Sequence, residues 1–291
     1  MVSSTRPKRR SFALINSWRK NWNTGMMGVF TLSAILSLIP LFAVLGYVIY
    51  NGLGSLNWDF FVHLPKGLGM PGGGMANAIV GTLILVALAS LVGVPIGFLA
   101  AIYLVEYDRS SWFSTLTRFT TDVLTGVPSI IIGIVVYTAI VVPMKHFSAW
   151  AAGIALGIIM IPVVVRATEE MLKLVPHTVR EAGLALGIPR WRIIISIVVP
   201  TSAKGIITGI MLAVARVSGE TAPLLFTALG NRYWAKSLNE PIASLPVQIY
   251  SYAVSPYEDW HRQAWAGALV LVFIVVILNL GTRYIFKERQ K

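Results

Sequence analysis

Apolar residues along this chain come in long charge-free blocks, not in the one-faced or alternating patterns of water-exposed helices and strands. Met26 to Tyr50 carries no charge, and neither does Gly67 to Tyr103, within which Ala76–Tyr103 is dense enough to cross a bilayer, with Pro95 as a kink. Val123–Val142 and Ala149–Val165 follow, separated only by Pro143 to Ser148, a link short enough to force antiparallel neighbours. Gly205–Leu229, interrupted by Arg216 and Glu220, and Ala264–Thr282 complete the set. A hydrocarbon core of about 30 Å takes roughly 20 helical residues to cross. The pattern therefore predicts an all-α, polytopic membrane protein with six transmembrane helices. Its expected organisation is a basic tail over 1–25, a first transmembrane helix over 26–50, a loop over 51–75, a core of five helices over 76–286 with a charged segment at 166–204, and a tail over 287–291. The first block exceeds the roughly 7 to 15 apolar residues of a cleaved secretory signal, so it reads as a retained helix.

Composition agrees and narrows the class. At 56% apolar and 12% charged residues, the chain has too few charges to cover a soluble globule, where about 25% is usual. Nine Trp, twelve Phe and ten Tyr exclude a disordered chain. The absence of Cys excludes disulfides, thiolate metal sites and a cysteine nucleophile. The net charge of +12 is distributed by topology: eighteen Lys and Arg fall on the side of both termini and five on the other. Cytoplasmic segments carry such an excess, so both termini are expected in the cytoplasm, with 51–75 external and 166–204 cytoplasmic. No nucleic-acid motif accompanies the charge, and no nucleic-acid partner is expected.

Catalytic chemistry is missing from the pattern. All four His, at 63, 146, 177 and 261, read as loop residues without metal-ligand spacing, and there is no HExxH and no GxSxG. Gly67 to Gly72 formally matches GxGxxG, but it contains Pro71 and opens no helix directly, so it is no nucleotide site. No GxxxxGK[ST] loop is present, so any ATP must be bound by another chain. Neither a catalytic residue, a metal site nor a bound cofactor is expected.

Two segments carry chemistry of another kind. Pro176 to Pro189 has Pro at its start and Gly187 followed by Pro189 at its end, the punctuation of a short helix. Such a helix is marginal alone and must dock. Gly183 weakens it, which is understandable if Ala182 and Gly183 let a partner surface approach closely. An amphipathic helix lying on the membrane surface is the other reading. Within the fifth block, Arg216 and Glu220 are the charges at bilayer depth, where each costs about 2.5–3.5 kcal/mol. At 100° per residue, Gly205, Gly209, Ala213, Arg216, Glu220, Pro223 and Thr227 form one small, polar stripe. Pro223 deprives the Gly219 carbonyl of its helical partner, opening a notch near Ser218 and Thr221. A guanidinium there matches an oxyanion, phosphate or carboxylate. The alternative is an i,i+4 ion pair that only locks the span to a neighbour.

Glu181-Ala182-Gly183, three residues, Gly187, nine residues, then Ile197-Val198-Val199-Pro200 resembles the EAA signature of ABC importer permeases, with Gly183 and Val199 as conservative departures. The resemblance implies the type I ABC importer architecture and assigns Glu181, Ala182, Gly183 and Gly187 to a coupling helix that enters a groove on a separate ATPase subunit. Ala215 to Ala228, with Gly72–Ala78, Val127–Ile130 and Pro241–Val247, is similar to the phosphate-importing branch of that family. That branch implies a second, non-identical permease, an ATPase dimer, a phosphate-binding protein and a lipid environment as partners. It further implies that Arg216 lines the phosphate path and that Arg166 matches a family position, although Arg166 also reads as an interface anchor; Glu220, Ser218 and Thr221 join the candidate path as neighbours of Arg216 in the notch. Competing functions are a permease for another oxyanion such as phosphonate or sulfate, a passive anion channel, and a structural subunit. Gly72–Gly74 reads as a turn before the second span, with an anion nest as the alternative.

Overall fold

The computed structural model describes residues 9–67, 70, 72–107 and 111–288, with side chains described within 18–281. Arg6 and Lys8 of the basic tail, Arg289 and Lys291 of the last one, Arg109, and Leu68, Gly69 and Pro71 of the glycine-rich motif lie outside the described residues. The described residues up to 50 form one compact unit and those from 51 onward a second.

The first unit is almost entirely helix α1 (Arg9–Leu53), which Pro40 does not interrupt. It is helical well before Met26, the start of the apolar block. Large apolar side chains such as Phe30, Leu36, Ile39 and Phe42 are exposed all round it, as on a helix whose solvent is hydrocarbon. The Thr24 and Thr31 hydroxyls donate back to the carbonyls of Lys20 and Met27, so these two donors are satisfied within the helix.

The second unit runs α2 (Trp58–Val62), α3 (Ala76–Ile102) with a π-helical turn at Tyr103–Tyr107, α4 (Trp112–Gly126), and α5 (Ser129–Val136). A π turn at Tyr137–Val141 leads into α6 (Val142–Met144), followed by α7 (Ala149–Lys173), α8 (His177–Ala185) and α9 (Arg190–Ile193). The chain then passes through a third π turn, Ile194–Val198, to α10 (Val199–Ser218), α11 (Ala222–Thr227), α12 (Leu245–Ala253) and α13 (Glu258–Glu288). Two of the π turns end directly before Val142-Pro143 and Val199-Pro200. Proline has no N–H to return to the preceding turn, and a widened turn absorbs the mismatch.

Among the described residues, five helices are long and apolar enough to cross a membrane, or six if one bent pair counts as a single span. The bent pair corrects the expected third span. Val123–Val142 is not one helix: α4 stops at Gly126, Val127 is extended before Pro128, and the chain turns by 106° into α5. The fifth block is also discontinuous, because α10 ends at Ser218 and α11 begins at Ala222. Gly219 and Pro223 together stop the helix where the sequence suggested only a notch. The fourth span continues to Lys173, past the charges expected in a loop. Two of the four His are not in loops: His177 opens α8, and His261 lies inside α13, its Nε2 2.6 Å from the Ser255 carbonyl.

The core is built on missing side chains. A Cβ on Gly93 or Gly97 of α3 would lie 2.8 Å from Met160 or Val164 of α7, and one on Gly153 of α7 would lie 2.6 Å from Leu88. Glycines at i,i+4 on both helices thus let the backbones approach, the packing that substitutes for the hydrophobic effect inside a bilayer. The same device joins α10 to α7, where Gly205 faces Met171 and Gly209 faces Ala167. Ser148 caps α7 by accepting from the Ala151 N–H at 3.1 Å, and Ser111 caps α4 through Ser114. On the loop side, the amides of Gly74, Met75 and Ala76 donate to the carbonyls of Leu64, Phe60 and His63. Those amides are committed within the chain, which fits a turn docking α2 on the start of α3.

Candidate functional site

Helix α8 forms as the sequence predicts, between Pro176 and a left-handed Gly187 at φ +73°. The Ile188 amide donates to the Gly183 carbonyl and the Gly187 amide to Leu184, a Schellman-type stop that needs glycine at this φ. Glu181, Ala182, Leu184, Leu186 and Gly187 are exposed, whereas Gly183 is buried. The small size of Gly183 is used inside the chain: a Cβ there would sit 2.8 Å from Ile193 of α9. The exposed and buried faces of the motif are therefore different. Glu181, Ala182 and Gly187 look outward, and Gly183 seats the helix on the start of the fifth span.

Arg180 fixes the other side of α8. Its Nε lies 3.0 Å from both oxygens of Glu106, on the π turn that extends α3. Its Nη1 donates to the Val175 carbonyl at 2.6 Å and its Nη2 to the Leu172 carbonyl at 3.0 Å. Those carbonyls belong to the end of α7 and the turn beyond it, where a helix leaves acceptors without partners. The Arg180 and Glu106 side chains are 12% and 3% exposed.

Arg216 is held differently. It sits in the last turn of α10, where a cation complements the helix dipole. Its Nε is 3.9 Å from Glu220 Oε1, beyond hydrogen-bond reach, and the two side chains are 46% and 16% exposed. Among the described residues its guanidinium makes no hydrogen bond. Ser218 is buried and its hydroxyl donates to the Val214 carbonyl at 2.7 Å, while Thr221 precedes α11. Glu220 lies in the break itself, so the expected continuous stripe from Gly205 to Thr227 does not exist. Gly205 and Gly209 pack against α7 and border an open cavity of about 490 Å³ at the Lys204 end of α10, whereas Ala213 is buried and separates that cavity from Arg216 and Glu220. Extending the antiparallel register of Gly205 on Met171 and Gly209 on Ala167 sets Arg216 level with Met160, near the middle of α7.

Arg166 does not join this group. That register separates it from the Arg216 level by about 9 Å of helix rise. It pairs instead with Asp122 of α4 and stands 3.7 Å from Glu169 Oε2. Glu169, 1% exposed, also receives Arg118 Nε and Lys173 Nζ, each at 3.1 Å. Among the described residues no cluster of three or more His, Asp or Glu is arranged to hold a metal ion.

The family described as binding-protein-dependent transport system inner membrane component matches residues 93–288. This chain belongs to that family. Its curated relatives include a phosphate transport system permease protein PstA of Haemophilus influenzae, 46% identical over 94% of this chain and 96% of its own length. Another of that name, from Yersinia pestis, is 43% identical over 94% and 93%. A third, from Mycobacterium tuberculosis, is 40% identical over 90% and 87%. Among solved structures, an inward-facing MetNI methionine ABC transporter chain aligns with a TM-score of 0.59 at 16% identity, covering 75% of this chain and 98% of that one. A bacterial ABC transporter that imports alginate aligns with a TM-score of 0.58 at 16% identity, covering 96% and 100%. These two likenesses establish the permease fold. As a member of the inner-membrane-component family with several long apolar helices, the chain is a multi-pass membrane protein.

For a member of this family, the sequence reading missed both the Arg180–Glu106 clamp and the Arg118–Glu169–Lys173 network. Glu106 and Arg180 are 74 residues apart, so no local spacing joins them. The available signal was a carboxylate directly ending a long apolar run and an arginine inside an otherwise docking helix. Each charge needed a partner.

Proposed function

We propose that the chain is the membrane-spanning permease subunit of an ATP-driven importer that carries inorganic phosphate across the cytoplasmic membrane. The observation that carries this reading is the Arg216 guanidinium, at mid-depth in an apolar bundle and without a hydrogen-bond partner among the described residues. A cation there whose donors make no hydrogen bond is costly unless it serves an anion, and its planar fork suits phosphate. The near-full-length similarity to phosphate transport system permeases supports phosphate as the cargo. Glu220, 3.9 Å away, supplies a counter-charge while leaving the guanidinium donors to the anion. Ser218 and Thr221 shape the break beside Arg216, and Arg166, held apart from it on Asp122 and Glu169, is a separate station of the path.

ATP is bound and hydrolysed by a separate ATPase dimer, and this chain itself holds no cofactor. Glu181, Ala182, Gly183 and Gly187 belong to the joint, with the outward-facing residues of α8 meeting the ATPase and Gly183 seating the helix. A second, non-identical permease and an external phosphate-binding protein complete the assembly in lipid. Both termini and α8 face the cytoplasm, and 51–75 faces outside. A cysteine at Arg190 is then labelled only from the cytoplasm and one at Lys145 only from outside, and labelling of both from one side overturns this orientation.

The test of function is reconstitution of this chain with its second permease, ATPase and binding protein in proteoliposomes, measuring ATP-dependent uptake of phosphate, sulfate and a phosphonate. Phosphate uptake that needs the binding protein is the expected result. Preference for sulfate or phosphonate replaces the cargo, and ATP-independent leak replaces the pump with a channel.

A further inference from the structure

A nine-residue helix such as α8 does not hold its position by its own backbone bonds. The chain connects α8 directly to α7 on one side and to α9 on the other, so the fourth and fifth spans follow it wherever it moves. The second span has no such covalent connection. It is reached across 74 residues of sequence by Arg180 on Glu106. The guanidinium engages Glu106 through Nε and Nη2, and the end of α7 through the Leu172 and Val175 carbonyls. One rigid, planar group is thus fastened to two spans at once, and it is 12% exposed. Glu106 lies on the π turn Tyr103–Tyr107, a widened turn of the kind found where helices are re-aimed at functional positions. The exposed residues of α8, Glu181 and Ala182, follow Arg180 directly in sequence, so a push on them is delivered to the arginine with little slack.

We propose that the Arg180–Glu106 pair is the rigid link that passes displacement of α8 to the second span, with Arg180 as a positioning residue and not a contact for the ATPase. This rests on the coupling role given to α8 above and adds the route by which motion leaves it. A pair that only stabilises the fold and a pair that transmits motion differ in one measurable respect. Loss of either lowers thermal stability, but only loss of the second leaves the ATPase docked and uncoupled.

The test uses the full reconstituted complex. Glu106→Gln keeps shape and one acceptor but removes the charge. The ATPase should co-purify at wild-type stoichiometry, while stimulation of ATP hydrolysis by phosphate-loaded binding protein falls about tenfold or more, the worth of one charge-assisted contact. Because the chain has no Cys, a Glu106→Cys, Arg180→Cys pair can be joined selectively by a thiol cross-linker. The unlinked pair should be uncoupled and the linked pair should recover stimulation. Stimulation that is unchanged in Glu106→Gln overturns the link, as does a cross-linked pair that binds the ATPase and remains uncoupled. If Glu106→Gln fails to bind the ATPase, the cysteine pair decides: equal stimulation with and without the cross-link overturns the proposal. A wild-type chain that does not bind the ATPase at all overturns the coupling role of α8 itself, a separate result from a coupled wild type with an unaffected Glu106→Gln.

Discussion

Among the described residues, the Arg–Glu pair that holds α8 and the one at the end of α10 are built in opposite ways. Arg180 and Glu106 come from distant segments, are nearly buried, and meet at 3.0 Å with the remaining donors of the guanidinium on backbone carbonyls. Arg216 and Glu220 come from adjacent turns, stand 3.9 Å apart, and leave the arginine nearly half exposed. Taking a charge out of water is costly, so a buried pair persists only when its hydrogen bonds are satisfied; this is met at Arg180. Among the described residues it is not met at Arg216, and those free donors are the ones the proposed function gives to an anion. The i,i+4 spacing that makes Arg216–Glu220 conspicuous in the sequence marks the weaker of the two pairs. Among side-chain charges, local spacing reports neighbourhood and not strength.

The largest effect expected from breaking this contrast is on stability at the tight pair. Arg180→Ala leaves Glu106 buried without its cation and uncaps α7, and should lower stability in detergent by about 3–5 kcal/mol, read as a fall in thermal midpoint. A loss under about 1 kcal/mol would place this pair in the same class as the loose one.

Next is transport at the loose pair. Arg216→Gln combined with Glu220→Gln removes both charges and should assemble with its partners at a near-normal thermal midpoint. Phosphate uptake should drop by about a hundredfold, corresponding to an uncompensated anion in an apolar bundle at about 2.5–3.5 kcal/mol. Near-normal uptake by the assembled double variant would make this pair a helix lock and remove its place in the path.

Gly187→Asp sharpens the comparison from the side of α8. A residue with a Cβ at φ +73° costs about 1–2 kcal/mol locally, without touching either ion pair. The variant should insert in the membrane and lose ATPase binding in pull-down. Retained binding and a normal transport rate would exclude the exposed end of α8 from the joint.

The smallest effect is the single change Arg216→Gln on stability alone. A pair at 3.9 Å whose arginine is nearly half exposed contributes little, so the thermal midpoint should move by the equivalent of about 1 kcal/mol or less. A larger shift would show Glu220 to be buried in the assembled complex and dependent on its arginine.

What the sequence by itself determined is what depends on neighbours along the chain. Charge-free blocks of spanning length fixed the helical membrane class, because a backbone in hydrocarbon must satisfy its own hydrogen bonds. The Pro176–Gly187 punctuation determined α8, because proline and glycine act through local φ. The tertiary structure decided what depends on distance. Val127-Pro128 and Gly219 were legible as irregularities, but only packing could make them full breaks, with a Cβ on Gly133 of α5 reaching 2.6 Å from Pro223 of α11. Gly183 read as room for a partner and is filled by Ile193. Gly205 and Gly209 read as part of a polar path and instead seat α10 on α7. Glu106 had no local partner, and Arg180 reached it only once the second and fourth spans lay side by side. A missing side chain or a lone charge states that something must come close; which atoms do so is decided by helices that the sequence places far apart.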